Sequence, residues 1–163
     1  MLNRLVHKAR AFLRKPFYIQ LGFFPVWLLL GMAKALIFVV PFRKLAPRLG
    51  VHTGAAPWVP LLDTRQRARA LSIGQLVRLT ARYTPWDSNC FPQAIVARIL
   101  LGLAGIPYAL YFGLTHDGDS REMKAHAWVA ADRVSVTGGN GFEQFTVVGC
   151  FVARGVQGGV EEA

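Results

Sequence analysis

Asn89-Cys90-Phe91-Pro92-Gln93-Ala94 marks the start of a helix. The turn-rich segment Tyr83-Thr84-Pro85-Trp86-Asp87-Ser88 runs into it, and an apolar run, Ile95 to Leu103, follows it. Asp87, Ser88 and Asn89 are good N-cap residues. Pro92 fits only in a first turn, where its missing N–H leaves no hydrogen bond unmade. Cys90 therefore falls at or near the first helical position. A thiol there faces unpaired backbone N–H groups and the positive end of the helix dipole, which favour the nucleophilic thiolate. The plain alternative is a buried, inert thiol. The helix is expected over about 90–104, ended by Gly105 before Ile106-Pro107. Only Gln93 and Arg98 interrupt its apolar surface, so it should be central and buried nearly all round.

After this helix the hydrophobic period changes from helical to two. Strands are expected over 108–115, 124–131, 133–137 and 145–152, with a polar loop at 116–122 and a tight turn at Asp132-Arg133. Gly138-Gly139-Asn140-Gly141 reads as a wider turn. Before it, 63–83 is an amphipathic helix capped at Asp63-Thr64. Its inner stripe is Ile73, Leu76, Val77, Thr80 and Tyr83, and Arg65, Arg67, Arg69, Arg78 and Arg82 form a basic outer face. The fold class is α+β: N-terminal helices, then an antiparallel sheet packed on the cysteine-bearing helix.

The first third is different in kind. Residues 1–15 place Leu2, Leu5, Val6, Ala9, Phe12 and Leu13 at helical spacing between basic residues, as in an amphipathic basic helix. Pro16 to Ala33 contains no charge. A spanning helix needs about 20 apolar residues; Gln20, Gly22, Pro25, Gly31 and Lys34 weaken that reading. A buried or interfacial helix from about Pro25 to Val40 is expected instead, with membrane-surface contact through residues 1–42. Residues 43–62, rich in proline and glycine, read as a connector. The chain divides into 1–60, apolar, basic and helical with the connector; 61–153, the core; and 154–163, a flexible tail.

The 163 residues allow one compact domain with a real core. Nineteen basic residues against nine acidic give a net charge of +10, which calls for an anionic partner. No nucleic-acid module or aromatic-plus-basic strand pattern supports nucleic acid as that partner. Two cysteines make no disulfide framework, so a cytoplasmic setting, with membrane association open, is the simpler expectation. No cofactor signature is present, and no ligand spacing near His126 supports a metal.

A cysteine at a helix start with a histidine on a downstream strand is the arrangement of cysteine proteases and acyl transferases. Of four histidines only His126 sits mid-strand, between Ala125 and Ala127. Cys90 is the candidate nucleophile and His126 the candidate general base and acid; a satisfied core histidine is the alternative. A two-residue turn at 132–133 sets residue 126 opposite 139, and 128 opposite 137. The residue that orients the imidazole should then come from Thr137 to Asn140. Asn140 suits best. Asp132 is the alternative, though it lies about 20 Å along the strand, and a backbone carbonyl or a water would also serve. The Cys90 N–H should form part of an oxyanion hole, with Gln75, Asn89 and Gln93 as candidates for the second donor.

Asn-Cys-Phe-Pro-Gln-Ala at 89–94, Gly-Ile-Pro at 105–107, Phe-Gly-Leu at 112–114 and Ala-His-Ala-Trp-Val at 125–129 resemble the lasso-peptide leader peptidases. That family lies in the transglutaminase-like branch of the papain-like cysteine proteases. The likeness covers about 65–152, and the Pro-Phe-Arg-Lys-Leu stretch at 41–45 resembles the family's stand-alone form. The resemblance implies a papain-like or transglutaminase-like fold and a hydrolase that cleaves the leader from a ribosomally made precursor peptide before macrolactam closure. It also implies three partners: the precursor, a separate leader-recognition protein, and an ATP-dependent cyclase. The family's nucleophile falls on Cys90 and its base on His126. Its aspartate, about a dozen positions after the histidine, falls near Gly138, where no acid stands. Two other functions remain open: a non-catalytic scaffold of a peptide-maturation complex, and an acyl transferase that uses an amine in place of water.

Overall fold

The structure is a computed structural model and describes residues 14–55, 58–116, 123–139 and 141–153. The expectations for residues 1–13, for the loop at 117–122, for Asn140 and for the tail from 154 lie outside the described residues. The elements in chain order are α1 (Phe17–Val39), α2 (Phe42–Leu49), β1 (Val51–His52), α3 (Thr64–Ala81), α4 (Cys90–Leu103), β2 (Ala109–His116), β3 (Met123–Ala131), β4 (Val134–Thr137), a 3₁₀ turn (Gly141–Gln144) and β5 (Thr146–Val152). The strands form one antiparallel sheet in the order β1-β5-β2-β3-β4. Helices first and an antiparallel sheet after them make this an α+β fold.

Two cores form because the sheet has two faces. Ala127, Val129 and Ala131 of β3 and Leu110 of β2 point toward the helices, where they pack with Ala94, Ala97 and Leu101 of α4 and Val77 of α3. The residues between them, Ala109, Tyr111 and Trp128, join Cys150 and Val152 in a second cluster on the opposite face, flanked by Trp58 and Phe145. This is the alternation that period two demands. The principal core also takes in Ile19, Val26 and Leu30 of α1. Helix α1 thus packs on α3 and α4.

Several local expectations change. Helix α1 begins at Phe17, behind Pro16, and carries Pro25 inside it, so Pro25 is not its start. The expected connector holds a helix, α2, because Leu45 and Leu49, one turn apart, are both buried. It also holds the two-residue β1, which exists only as a partner of β5. The stripe of α3 ends at Thr80, since Tyr83 is 55% exposed. The sheet register shifts by one between Val129 and Ala130, so Val129 faces Thr137 where Trp128 was expected to. The cause is a β-bulge, which puts two residues of one strand against one of its partner.

The arginines of α3 are not all solvated. Arg78 donates through Nη1 to the carbonyls of Ser135, at 3.2 Å, and Val136. Arg67 donates to Asp132 through Nε, at 3.1 Å, and through Nη2. Asp132 itself adopts a left-handed conformation, φ 55°, in the β3–β4 turn, which aspartate tolerates. The guanidinium bonds hold its carboxyl below the usual carboxylate range, with charge attraction adding to them. A group whose native pKa is lowered stabilises the fold above its ordinary value, and that contribution is lost as pH falls through the native one. Replacing Arg67 by Gln should therefore lower the thermal midpoint at pH 7. The gap to the wild type should close as pH drops below about 4, and a pH series of melting curves measures this.

Candidate functional site

Cys90 is the first residue of α4, with Asn89 as N-cap. The turn before it is tied down. The Thr84 hydroxyl lies 2.9 Å from the Ser88 hydroxyl and 2.9 Å from the carbonyls of Ala81 and Trp86. Gln93 Nε2 donates back to the Ser88 carbonyl at 2.6 Å. The thiol is free and partly buried, and it rests against the principal core. Next to it, Phe91 meets Phe112 edge-on, with ring centroids 5.3 Å apart. The N–H of a first-turn residue has no acceptor within its helix, so the Cys90 N–H is free of intrahelical bonding.

His126 stands on β3 opposite Gly113. Its ring lies on the face of the second cluster, stacked on Phe145 at 4.9 Å and on Trp128 at 5.8 Å. Gly113 makes room for this stack: a Cβ there would come within 2.8 Å of both Phe145 and Trp128. His126 Nε2 lies 2.9 Å from the Gly138 carbonyl oxygen. A carbonyl only accepts, so Nε2 carries the proton of the neutral ring and Nδ1 holds the lone pair. Among the described residues no hydrogen bond reaches Nδ1.

Gly138 is twelve positions after His126. Its carbonyl thus stands at the chain position where a carboxylate was looked for. The backbone there has φ 95°, and a Cβ would fall 2.3 Å from that of Trp128. Only glycine adopts this conformation without strain. Gly138 lies within the stretch Thr137 to Asn140 that the hairpin register points to, and a backbone carbonyl is among the alternatives the sequence leaves open. Asp132 does not approach His126, because it sits at the turn and is bound to Arg67. Asn140 lies outside the described residues.

The structure does not join Cys90 to His126 by a hydrogen bond. Helix α4 packs on the Ala127 face of β3, and the imidazole is stacked on the Trp128 face. Of the candidate second oxyanion donors, Gln75 accepts from Tyr18 at 2.8 Å and Gln93 is held by Ser88. Asn89 makes no cap bond with its side chain and is exposed.

Beyond Trp128 a cleft of about 550 Å³ runs along the second face of the sheet. Tyr111, Trp128, Ala130, Val59 and Val147 line it, with Asp132, Arg133 and Glu143 among its polar residues. Burial, with Cys150 nearby, pushes the Tyr111 hydroxyl up to about 12. It is therefore a neutral donor, and it bonds to the Trp58 carbonyl. Trp128 links the two features: it stacks on His126 and forms part of the cleft wall.

Gly138→Ala should strain the turn, cost about 2 kcal/mol of stability and move the carbonyl off Nε2. The imidazole nitrogens report this by ¹⁵N NMR above the histidine titration. The wild type should show the Nε2–H tautomer alone, and the variant a mixture.

Most of the chain matches a known protein family. A model described as the transglutaminase-like superfamily matches residues 36–150. Comparison with curated proteins and with solved structures returns no match. The matched span holds α2, α3, α4, both candidate residues and most of the sheet. With most of its length under that model, the chain belongs to the transglutaminase-like superfamily.

Proposed function

We propose that the protein is a cysteine peptidase that removes the leader from a ribosomally made lasso-peptide precursor, in the cytoplasm, before the macrolactam is closed. One observation carries the reading. His126 is fixed through Nε2, twelve residues from its carbonyl partner, and Nδ1 is left without a hydrogen bond among the described residues. That is what a base needs: one nitrogen to hold the ring and the other to take a proton. Membership of the superfamily and the cysteine at a helix start support it. The resemblance of Ala125-His126-Ala127-Trp128-Val129 to leader peptidases narrows the chemistry to peptide cleavage.

In this scheme the Cys90 thiol gives its proton to His126 Nδ1, and Sγ attacks the scissile carbonyl carbon. The oxyanion is met by the Cys90 N–H, with the unengaged Asn89 amide as the second donor. The C–N bond breaks as Nδ1 returns the proton to the departing amine, which is the new N-terminus of the core peptide. Water, deprotonated by the same nitrogen, then hydrolyses the thioester. Cys90 and His126 must come within hydrogen-bond reach for the first step. Catalytic hydrogen bonds are often long without substrate and tighten in the complex, and here the precursor, presented by its recognition protein and passed on to the ATP-dependent cyclase, supplies that complex. Asn140, two positions after Gly138 in the sequence, is a further candidate to hold the imidazole.

The unjoined Cys90 and His126 favour one other reading: a scaffold for precursor and cyclase that performs no chemistry. An acyl transfer to an amine would use the same residues and differ only in the acceptor.

The deciding assay mixes the purified full chain, the precursor and the recognition protein, and follows products by mass spectrometry. Wild type should release the core peptide with a free amine, and Cys90→Ala should lose about 10⁴-fold or more in turnover while keeping its circular dichroism. Cleavage that persists in Cys90→Ala sinks the peptidase reading. A product carrying an added amine assigns the transferase.

A further inference from the structure

Helix α1 has two apolar faces, and protein covers one of them. Ile19, Val26, Leu30 and Ala33 are buried against α3 and α4. On the opposite side Phe17, Leu21, Phe24, Leu28, Met32 and Leu36 recur every three or four residues and stand in solvent. Phe24 is 65% exposed and Met32 66%, against 1% for Val26 and 0% for Leu30. A continuous apolar stripe of this kind marks an interaction surface.

The charge identifies what covers it. Residues 1–62 contain nine Lys or Arg and no Asp or Glu, so nearly all of the net charge of +10 is carried there. Arg14 and Lys15 are exposed at one end of the stripe, and Arg43, Lys44 and Arg48 at the other. The Lys34 ammonium lies 5.1 Å over the Phe38 ring. Apolar rings between cationic ends fit the boundary of an anionic bilayer, with the rings among acyl chains and the cations among phosphates.

By length and composition α1 is also able to cross a membrane. Its inner face argues otherwise. The Tyr18 hydroxyl donates to Gln75 of α3, and the Trp27 indole N–H donates to the Tyr83 carbonyl at 3.4 Å. Helix α3 carries Arg65, Arg67, Arg69 and Arg78, with Arg82 at its C-cap. A crossing α1 would draw α3 and its arginines into hydrocarbon, where such charges are costly. We infer that α1 lies in the plane of an anionic membrane surface, with its Phe24–Met32 face inserted and the cysteine-bearing domain resting above it.

Flotation of the full chain with lipid vesicles tests this. The protein should rise with phosphatidylcholine vesicles containing phosphatidylglycerol, and about tenfold less with phosphatidylcholine alone. The double variant Phe24→Asp/Met32→Asp should abolish flotation. Arg43→Gln/Lys44→Gln should weaken it by about tenfold at low salt, and raised salt should weaken the wild type. Alkaline carbonate should release the bound protein. Flotation unchanged in both double variants overturns the inference, and carbonate-resistant binding overturns the in-plane placement. Both variants alter exposed residues, so circular dichroism should match the wild type. If the first variant unfolds, the second and the salt series still decide. Absence of flotation, with a dimer in sedimentation that Phe24→Asp splits, assigns the stripe to a second copy of the chain and overturns the membrane reading.

Discussion

Where α4 crosses β3, small side chains meet small side chains. Ala94 and Ala97 on the helix and Ala127 and Ala131 on the strand are all buried in one core, with Leu101 and Val129 filling the space around them. Short side chains let a helix axis come close to a sheet, and a close axis fixes the rest of the layer. That approach is matched where α3 meets β4 at Gly74, beside the Val136 backbone, and Arg78 reaches the carbonyls of Ser135 and Val136. The closeness of α4 to β3 sets where the first turn of α4, with Cys90, lies relative to the sheet. The candidate nucleophile is thus positioned by packing some distance from it.

His126 is positioned by different means. The alternation of β3 that sends Ala127 and Val129 into the helical layer sends His126 and Trp128 to the opposite face. There the imidazole is part of an aromatic stack with Phe145 and Trp128, and a hydrogen bond fixes its rotation. Stacking restricts a ring to a plane, and the bond selects its orientation within that plane. The two candidate residues are consequently held by different contacts, Cys90 at a helix start against the principal core and His126 in the aromatic stack.

What the sequence disclosed followed from local pattern. The Cys90 helix, the capping at Asp63, and the four later strands were legible because each has its own periodicity or cap. Elements that depend on a distant partner were not. Two residues make no strand pattern, and β1 exists because β5 lies beside it. Helix α2 was hidden by Pro47 and by a stripe of only two leucines, Leu45 and Leu49. Pro25 was read as a boundary, though α1 continues through it. The bulge at Val129/Ala130 moved the register by one, which no count along the hairpin anticipates. The arginines of α3 looked like a solvated face because the carboxylate and carbonyls that bind two of them come from a hairpin more than fifty residues away. For the orienting group of His126 the sequence favours Asn140 and leaves a backbone carbonyl as an alternative; the structure offers that carbonyl, at Gly138, a main-chain oxygen that every residue type possesses.

That oxygen has an evolutionary consequence. A carboxylate that orients a histidine disappears with one codon change, and it can be restored only by restoring the acid. The Gly138 carbonyl cannot be removed by any substitution. It can only be displaced, and the turn conformation at φ 95° decides whether it is. Selection at position 138 would therefore act on backbone shape rather than on side-chain chemistry. Sequences that drift freely around the turn would keep the histidine aligned for as long as they keep the small residue that permits the bend.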